Sequence, residues 1–233
     1  EIHSLLDEMF LDDAVDFLEE LPASVVKRVL QNTDPTKRAL INQFLKYPEN
    51  SAGSIMTIEF AEFHSSMTVR QAMESLRKTG LDKETIYTCY VIDSQRHLVG
   101  TLALRHLIMA GEDRPVSEIM ETNVISVKTL DDQEIVADTV RKYDLMSIPV
   151  VDNENRLVGI VTADDIMDVI EEENTEDIEM MGGLLPSDDQ YLKTPIITLF
   201  KNRIPWLLIL MISATFTGMI ITHFEDVLSD TGK

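Results

Sequence analysis

The chain has 233 residues, with 20 Lys plus Arg against 41 Asp plus Glu, for a formal net charge of −21. That balance excludes a nucleic-acid binder, which needs a basic stripe to neutralise phosphates. The single Cys excludes an internal disulfide framework, and 44% apolar residues suffice for a core.

In chain order, residues 1–20 come first. They carry Glu1, Asp7, Glu8, Asp12, Asp13, Asp16, Glu19 and Glu20 with no Lys or Arg, interleaved with Leu5, Leu6, Met9, Phe10, Val15, Phe17 and Leu18. Apolar residues at helical spacing make this acid run one face of a packed helix, not a solvated tail. A helical piece is expected over 1–47 and a linker over 48–54.

An internal repeat follows. Val91–Ile108 and Val150–Met167 align at a constant offset, with Val91/Val150, Asp93/Asp152, Leu98/Leu157, Val99/Val158 and Gly100/Gly159 identical. Each copy reads as strand, polar turn, strand and helix. Helical patterns precede each copy, at Val69–Leu81 and Leu130–Tyr143. Before those, Ile55-Met56 and Ile119-Met120 each open a short strand (Ile58–His64, Val124–Val127). The expected units are 55–111 and 112–172. Neither is large enough to bury its faces well alone, so the two should pack as one domain.

The second acid run, residues 164–179, again lacks Lys and Arg. Asp165, Asp168, Glu172, Glu176 and Glu179 step by three and four, so they share one helix face. Such a face stores repulsion unless a cation neutralises it. Mg²⁺ suits it, being a hard cation that takes oxygen ligands and keeps several waters. The five His (His3, His64, His97, His106, His223) are scattered, which argues against zinc.

Gly182, Gly183 and Pro186 form a joint. Beyond it Tyr191–Arg203 is amphipathic, with Pro195 near its start. Ile204–Thr222 is uncharged and, at about 1.5 Å per residue, long enough to cross a bilayer. Lys201 and Arg203 before it, and Glu225 and Asp226 after it, put residues 1–203 in the cytoplasm. No enzyme chemistry is expected: Cys89 lies in an apolar strand, and there is no G-x-S-x-G or Walker lysine.

The repeat, with SIPVVDNENRLVGIVTADDI in its second copy, is similar to a tandem CBS (Bateman) module. The whole order, LDDAVDFLEELP, then YPENSAGSIMT, the CBS pair, an acidic helix, an amphipathic helix and a hydrophobic span, resembles the MgtE family of magnesium channels and transporters. The resemblance implies an α+β fold: a tandem CBS module with an N-terminal helical piece, a C-terminal connecting ("plug") helix within 173–203 and one transmembrane helix at 204–222. It implies a homodimer in the cell membrane, multi-pass in the full-length protein, with Mg²⁺ bound between the N-domain and the CBS domains to favour the closed pore.

Motif positions then point to Asp12, Asp16, Glu134, Asp144, Asp165, Asp168, Glu173, Glu176 and Asp177 as Mg²⁺ ligands. Thr162 and Asp165 are also similar to the ribose-binding pair of CBS domains, which leaves room for one ATP-like ligand; the first copy has Ala103 and His106 there instead. Two departures matter. Only the last N-domain helices are present, and the membrane helices beyond the first are absent. The expected function is therefore the Mg²⁺-sensing part of a magnesium channel. The rivals are an adenine-nucleotide-sensing CBS protein and a ligand-free membrane-tethered scaffold.

Overall fold

Three short helices open the computed structural model, which describes residues 9–19, 21–182 and 196–231. Helix α1 (Leu11–Glu19) buries Leu11, Ala14, Val15 and Leu18, one stripe at helical spacing. Helices α2 (Ala23–Asn32) and α3 (Pro35–Phe44) follow. Asp34 starts α3 by accepting hydrogen bonds from the Thr36 and Lys37 backbone N–H groups at 2.8 and 3.2 Å, with Pro35 at the first helical position. Ile41 and Phe44 join the α1 stripe.

The repeat is real in three dimensions. The first copy is β1 (Phe60–His64), α4 (Val69–Thr79), β2 (Thr85–Ile92), β3 (Leu98–Ala103) and α5 (Leu104–Met109). The second is β4 (Val127–Lys128), α6 (Gln133–Tyr143), β5 (Ser147–Val151), β6 (Leu157–Thr162) and α7 (Ala163–Met181). Each copy forms a three-stranded sheet in chain order, its first pair parallel and its second antiparallel. Equivalent register shifts fall at Val91/Ile92 and Val150/Val151. In the matching turns Arg96 and Asn155 take left-handed backbone conformations, φ 68° and 63°, and Asp93 and Asp152 accept two backbone N–H bonds each.

The Ile-Met segments do not open strands of their own copy, as the sequence suggested; they cross over. Thr57 bridges Ile160 on β6, and Glu121 bridges Thr101 on β3. Two backbone hydrogen bonds fix each crossing, Thr57–Ile160 at 2.8 and 2.9 Å and Glu121–Thr101 at 2.8 and 2.9 Å. Glycines make room for it: a Cβ on Gly159 would lie 2.7 Å from Met56 Sδ, and one on Gly100 would lie 2.6 Å from Met120 Sδ. A linker residue ahead of one copy thus bridges the edge of the other's sheet, in both directions.

Between the copies lie Phe60, Tyr90, Ile92, Leu98, Val151, Leu157 and Ile160. Tyr90 and Ser147 share a buried hydrogen bond of 2.7 Å across this seam. Tyr90→Phe should leave the Ser147 hydroxyl unpaired and cost about 1–2 kcal/mol in urea denaturation; an unchanged midpoint would show that the bond contributes nothing net.

The helical piece belongs to the second copy's core. Leu11, Val15 and Leu18 cluster with Val136, Val140, Ile166 and Val169. The linker is pinned there as well, Ala52 and Gly53 donating backbone N–H bonds to the Asp131 and Thr129 carbonyls at 2.7 and 2.9 Å. This compact unit ends at Ile170, and a second runs from Glu171.

The second unit holds the later turns of α7 and helix α8 (Ile196–Thr231). Its apolar stretch Phe200–Glu225 has 26 residues and a mean hydropathy of 2.1, long and apolar enough to cross a membrane. The hydroxyls of Thr215, Thr217 and Thr222 donate to carbonyls four residues back at 2.8, 2.9 and 2.8 Å, which hides them within the helix. Residues 196–203 of the expected connecting helix run into this span without a break. Residues 191–195, and the joint beyond Gly182, lie outside the described residues.

Candidate functional site

Asp12 is the most unusual acid of the chain. It sits in the first turn of α1, only 7% exposed, because Leu11 and Val15 beside it face the core. Its Oδ1 is buried and has no hydrogen-bond partner. Burial pushes its carboxyl up from the ordinary range to about 7; the Asp13 N–H pulls it down, and the charges of Asp165, Asp13 and Glu84 push it further up.

Asp165 stands at the start of α7. Its Oδ2 accepts the Thr162 hydroxyl at 2.5 Å and the Thr162 N–H at 3.3 Å, tying the third helical residue back to the residue before the helix. Burial raises its carboxyl, the Thr162 bonds lower it, and Asp164 and Asp13 raise it again. Thr162 and Asp165 thus have a structural role at the helix start. In the first copy, Ala103 leaves α5 with no side-chain cap.

Glu84, just before β2, completes the group. Its N–H donates to the Glu59 carbonyl at 2.7 Å, and Glu59 Oε2 in turn accepts the Thr57 hydroxyl at 2.8 Å. One oxygen of Glu84, Oε2, is buried and unpartnered. Burial raises its carboxyl, as do the charges of Asp164, Asp165, Asp13 and Glu59.

Five carboxylates from three places in the chain therefore feel one another: Asp12 and Asp13 from α1, Glu84 from the first CBS copy, and Asp164 and Asp165 from the second. Among the described residues no group of three or more Asp, Glu, His or Cys is placed to hold a metal ion as it stands. Two buried carboxylate oxygens without partners nevertheless suit a hydrated divalent cation, which is commonly held by one or two carboxylates plus water.

Of the predicted ligands, only Asp12 and Asp165 meet here. Asp16, a turn beyond Asp12, is exposed. Asp168, one turn beyond Asp165, is exposed as well. Glu134 and Asp144 stand at opposite ends of α6, roughly 15 Å apart along its axis, so one ion does not span both within a chain. Asp144 caps that helix with a left-handed φ of 51°. Glu173, Glu176 and Asp177 lie on the later turns of α7, in the second unit. Sequence reasoning missed Asp13, Glu84 and Asp164 as partners. The doubled Asp in LDDAV and TADDI was the available signal for two of them; nothing local marked Glu84.

A separate cleft of about 300 Å³ is lined by Ile58, Phe60, Glu62, Lys83, Arg96 and Val158. Arg96 pairs with Glu62 through two bonds of 3.0 Å. The cleft carries two basic side chains, Lys83 and Arg96. Thr162 and Asp165 do not line it.

Two matching sheets bridged to each other's linkers, with a helix ending each copy, define a tandem CBS module carrying a helical piece and an apolar helix. The family profile for the CBS domain matches residues 52–113 and 116–172, and that for the MgtE intracellular N domain matches residues 1–50. The chain is 41% identical over 222 residues to the magnesium transporter MgtE of Thermus thermophilus, covering 94% of this chain and 49% of that protein. The crystal structure of the soluble part of a magnesium transporter is similar at 43% identity and a TM-score of 0.72, over 73% of this chain and 67% of that one. The cytosolic domain of the Mg²⁺ channel MgtE in complex with ATP is similar at 43% identity and a TM-score of 0.69, over 72% and 68%. The chain belongs to the MgtE family of magnesium transporters, membrane proteins in which α8 has a natural place. It spans about half the length of its curated MgtE relatives.

Proposed function

We propose that this chain is the cytosolic Mg²⁺-sensing part of a magnesium channel or transporter, with residues 1–203 in the cytoplasm. The observation that carries this reading is the buried acid group between α1 and the CBS pair, with Asp12 Oδ1 and Glu84 Oε2 left without partners. Without a cation these charges repel and favour separation of the helical piece from the CBS pair. With Mg²⁺ bound, the repulsion is cancelled and the compact form is favoured, which holds the connecting segment and the pore closed. Glu134, Asp144, Asp168, Glu173, Glu176, Asp177 and Asp16 are assigned to further cation sites on the same acidic surfaces, filled in concert.

Numbers support several sites over one. A site held at ten times its dissociation constant adds only about 1.4 kcal/mol to the closed state. Moving a population from 1:99 to 99:1 takes about 5.5 kcal/mol, so roughly four sites must act together. A homodimer supplies twice the sites of one chain. Exposed Ile108, Met109, Ile135, Met146 and Met167, on the two CBS copies, are apolar enough to meet a second copy.

The test is protease cleavage of the 48–54 linker under Mg²⁺ titration, with cleavage expected to fall several-fold at millimolar Mg²⁺. Equal protection by a monovalent salt at matched ionic strength would defeat the proposal. A second ligand, ATP, is favoured by one observation, the cleft with Lys83 and Arg96.

A further inference from the structure

We propose that the helical piece moves about a pivot at Pro48 and Glu49, and that Tyr47, seated on Gly53, is the latch that keeps it closed. The inference rests on the Mg²⁺-sensing reading above and adds to it the place where the motion occurs. The 48–54 linker is not one flexible tether, because its second half is built into the second CBS copy. The Asn50 carbonyl accepts the N–H of Gln133, the first residue of α6, at 2.9 Å. Ala52 and Gly53 donate to the Asp131 and Thr129 carbonyls at 2.7 and 2.9 Å, and Ser51 bridges Asp132 between them. Ser51 and Ala52 are buried. Releasing this stretch would strand several buried backbone groups at once, so residues 50–53 travel with the second copy whatever the helical piece does.

On the other side, the chain belongs to α3 up to Tyr47. The Leu45 and Tyr47 N–H groups donate back to the Ile41 and Phe44 carbonyls at 3.0 and 2.9 Å. The Phe44 and Tyr47 rings meet edge to face at 6.0 Å. Pro48 and Glu49 are what lies between the two anchored stretches. Glu49 makes no backbone hydrogen bond, and the Pro48 carbonyl accepts only the Ser51 hydroxyl, at 2.7 Å. The Pro48 ring fixes its own φ and disfavours helical backbone at Tyr47, so rotation is left to the torsions between Pro48 and Asn50. A few such residues at the end of an element suffice for a hinge. The Tyr47 ring crosses this pivot. A Cβ on Gly53 would lie 2.6 Å from Tyr47 Cδ1 and 2.7 Å from Tyr47 Cγ, so the ring rests directly on the Gly53 backbone. Tyr47 is on the helical side and Gly53 on the CBS side. A swing about Pro48 and Glu49 lifts the ring and returns both surfaces to water, which favours the closed form whether or not a cation is bound. The latch thereby sets how much cation is needed to complete closure.

The experiment is digestion of the 233-residue chain in detergent micelles by a protease that cuts after Glu. Mg²⁺ is titrated at matched ionic strength, and the cut sites are read by mass spectrometry. Glu49 lies in the pivot and Glu59 just past the anchored stretch. In the parent, cleavage after Glu49 should fall several-fold as Mg²⁺ rises, while the bond after Glu59 stays resistant throughout. Tyr47→Ala should raise the Mg²⁺ concentration at half-protection by about tenfold, since the closed form loses an aromatic contact. Tyr47→Leu, a milder change in case the Ala variant does not fold, should shift it the same way by less. Tyr47→Phe keeps the ring and should match the parent. Cleavage after Glu59 rising in step with cleavage after Glu49 would show the anchored half peeling away, and would overturn the pivot while leaving the sensing reading standing. Parent-like midpoints in Tyr47→Ala and Tyr47→Leu would overturn the latch. No Mg²⁺ response at either bond in the parent would sink the sensing reading itself.

Discussion

Asp12→Asn is expected to stabilise the Mg²⁺-free chain at pH 8 and to remove most of the stabilisation that Mg²⁺ supplies. The sign follows from burial. The Asp12 carboxyl is raised from 3.8 to about 7, so between those values the folded chain holds a proton that the unfolded chain has released. Stability is therefore greatest below about pH 4 for this group and falls as pH rises through 7, by an amount on the order of a few kcal/mol. Asn imitates the neutral form at every pH. Urea denaturation at pH 5 and pH 8 should show a steep loss for the parent without Mg²⁺, a smaller loss with it, and a nearly flat response for the variant. An equal slope in parent and variant would mean that Asp12 is not the group at work.

The second large effect concerns packing. Gly159→Ala should destabilise the CBS pair by about 3 kcal/mol, near the top of the range for overpacking, and lower its melting temperature by roughly 6–12 °C. The new methyl would stand 2.7 Å from Met56 Sδ and 2.8 Å from the Thr57 carbonyl oxygen. A flexible Met can move aside. The carbonyl cannot, because it accepts the Ile160 N–H at 2.9 Å in the strand crossing. Gly100→Ala meets its backbone neighbour, the Glu121 carbonyl, at a looser 3.1 Å and should cost about half as much. Equal costs for the two would show that the thioethers and not the crossing backbones set the limit. The same calorimetric scan reads both variants.

Much of this architecture was legible in advance because it is periodic. The Val91/Val150 offset carried strand order and turn position, since equal side chains at equal spacing fold alike. The α1 stripe was legible for the same reason. What escaped was non-local. That Ile55-Met56 leaves its own copy to pair beside Ile160 depends on where Gly159 leaves space, and no window around residue 55 contains that fact. The site failed in a like manner. Asp12 was found through LDDAVD, but the helix that carries it packs against Val136, Val140 and Ile166, far along the chain. Glu84 sits in a plain DKET turn and gains meaning only from Asp165. The helix-face argument on α7 put Asp168 in line with Asp165, yet said nothing of how far along that face the buried environment extends.

The crossing bridges also set a clock for synthesis. Thr57 waits for Ile160, about a hundred residues later, before its bridge can form. At ~5–20 residues per second on the ribosome, the segment around Thr57 spends roughly 5–20 s without its partner. The apolar span begins only some forty residues after that partner has been made, at Phe200. The crossing therefore forms only shortly before the apolar segment is made, so translation speed through residues 100–200 bears directly on whether the CBS pair is complete by then.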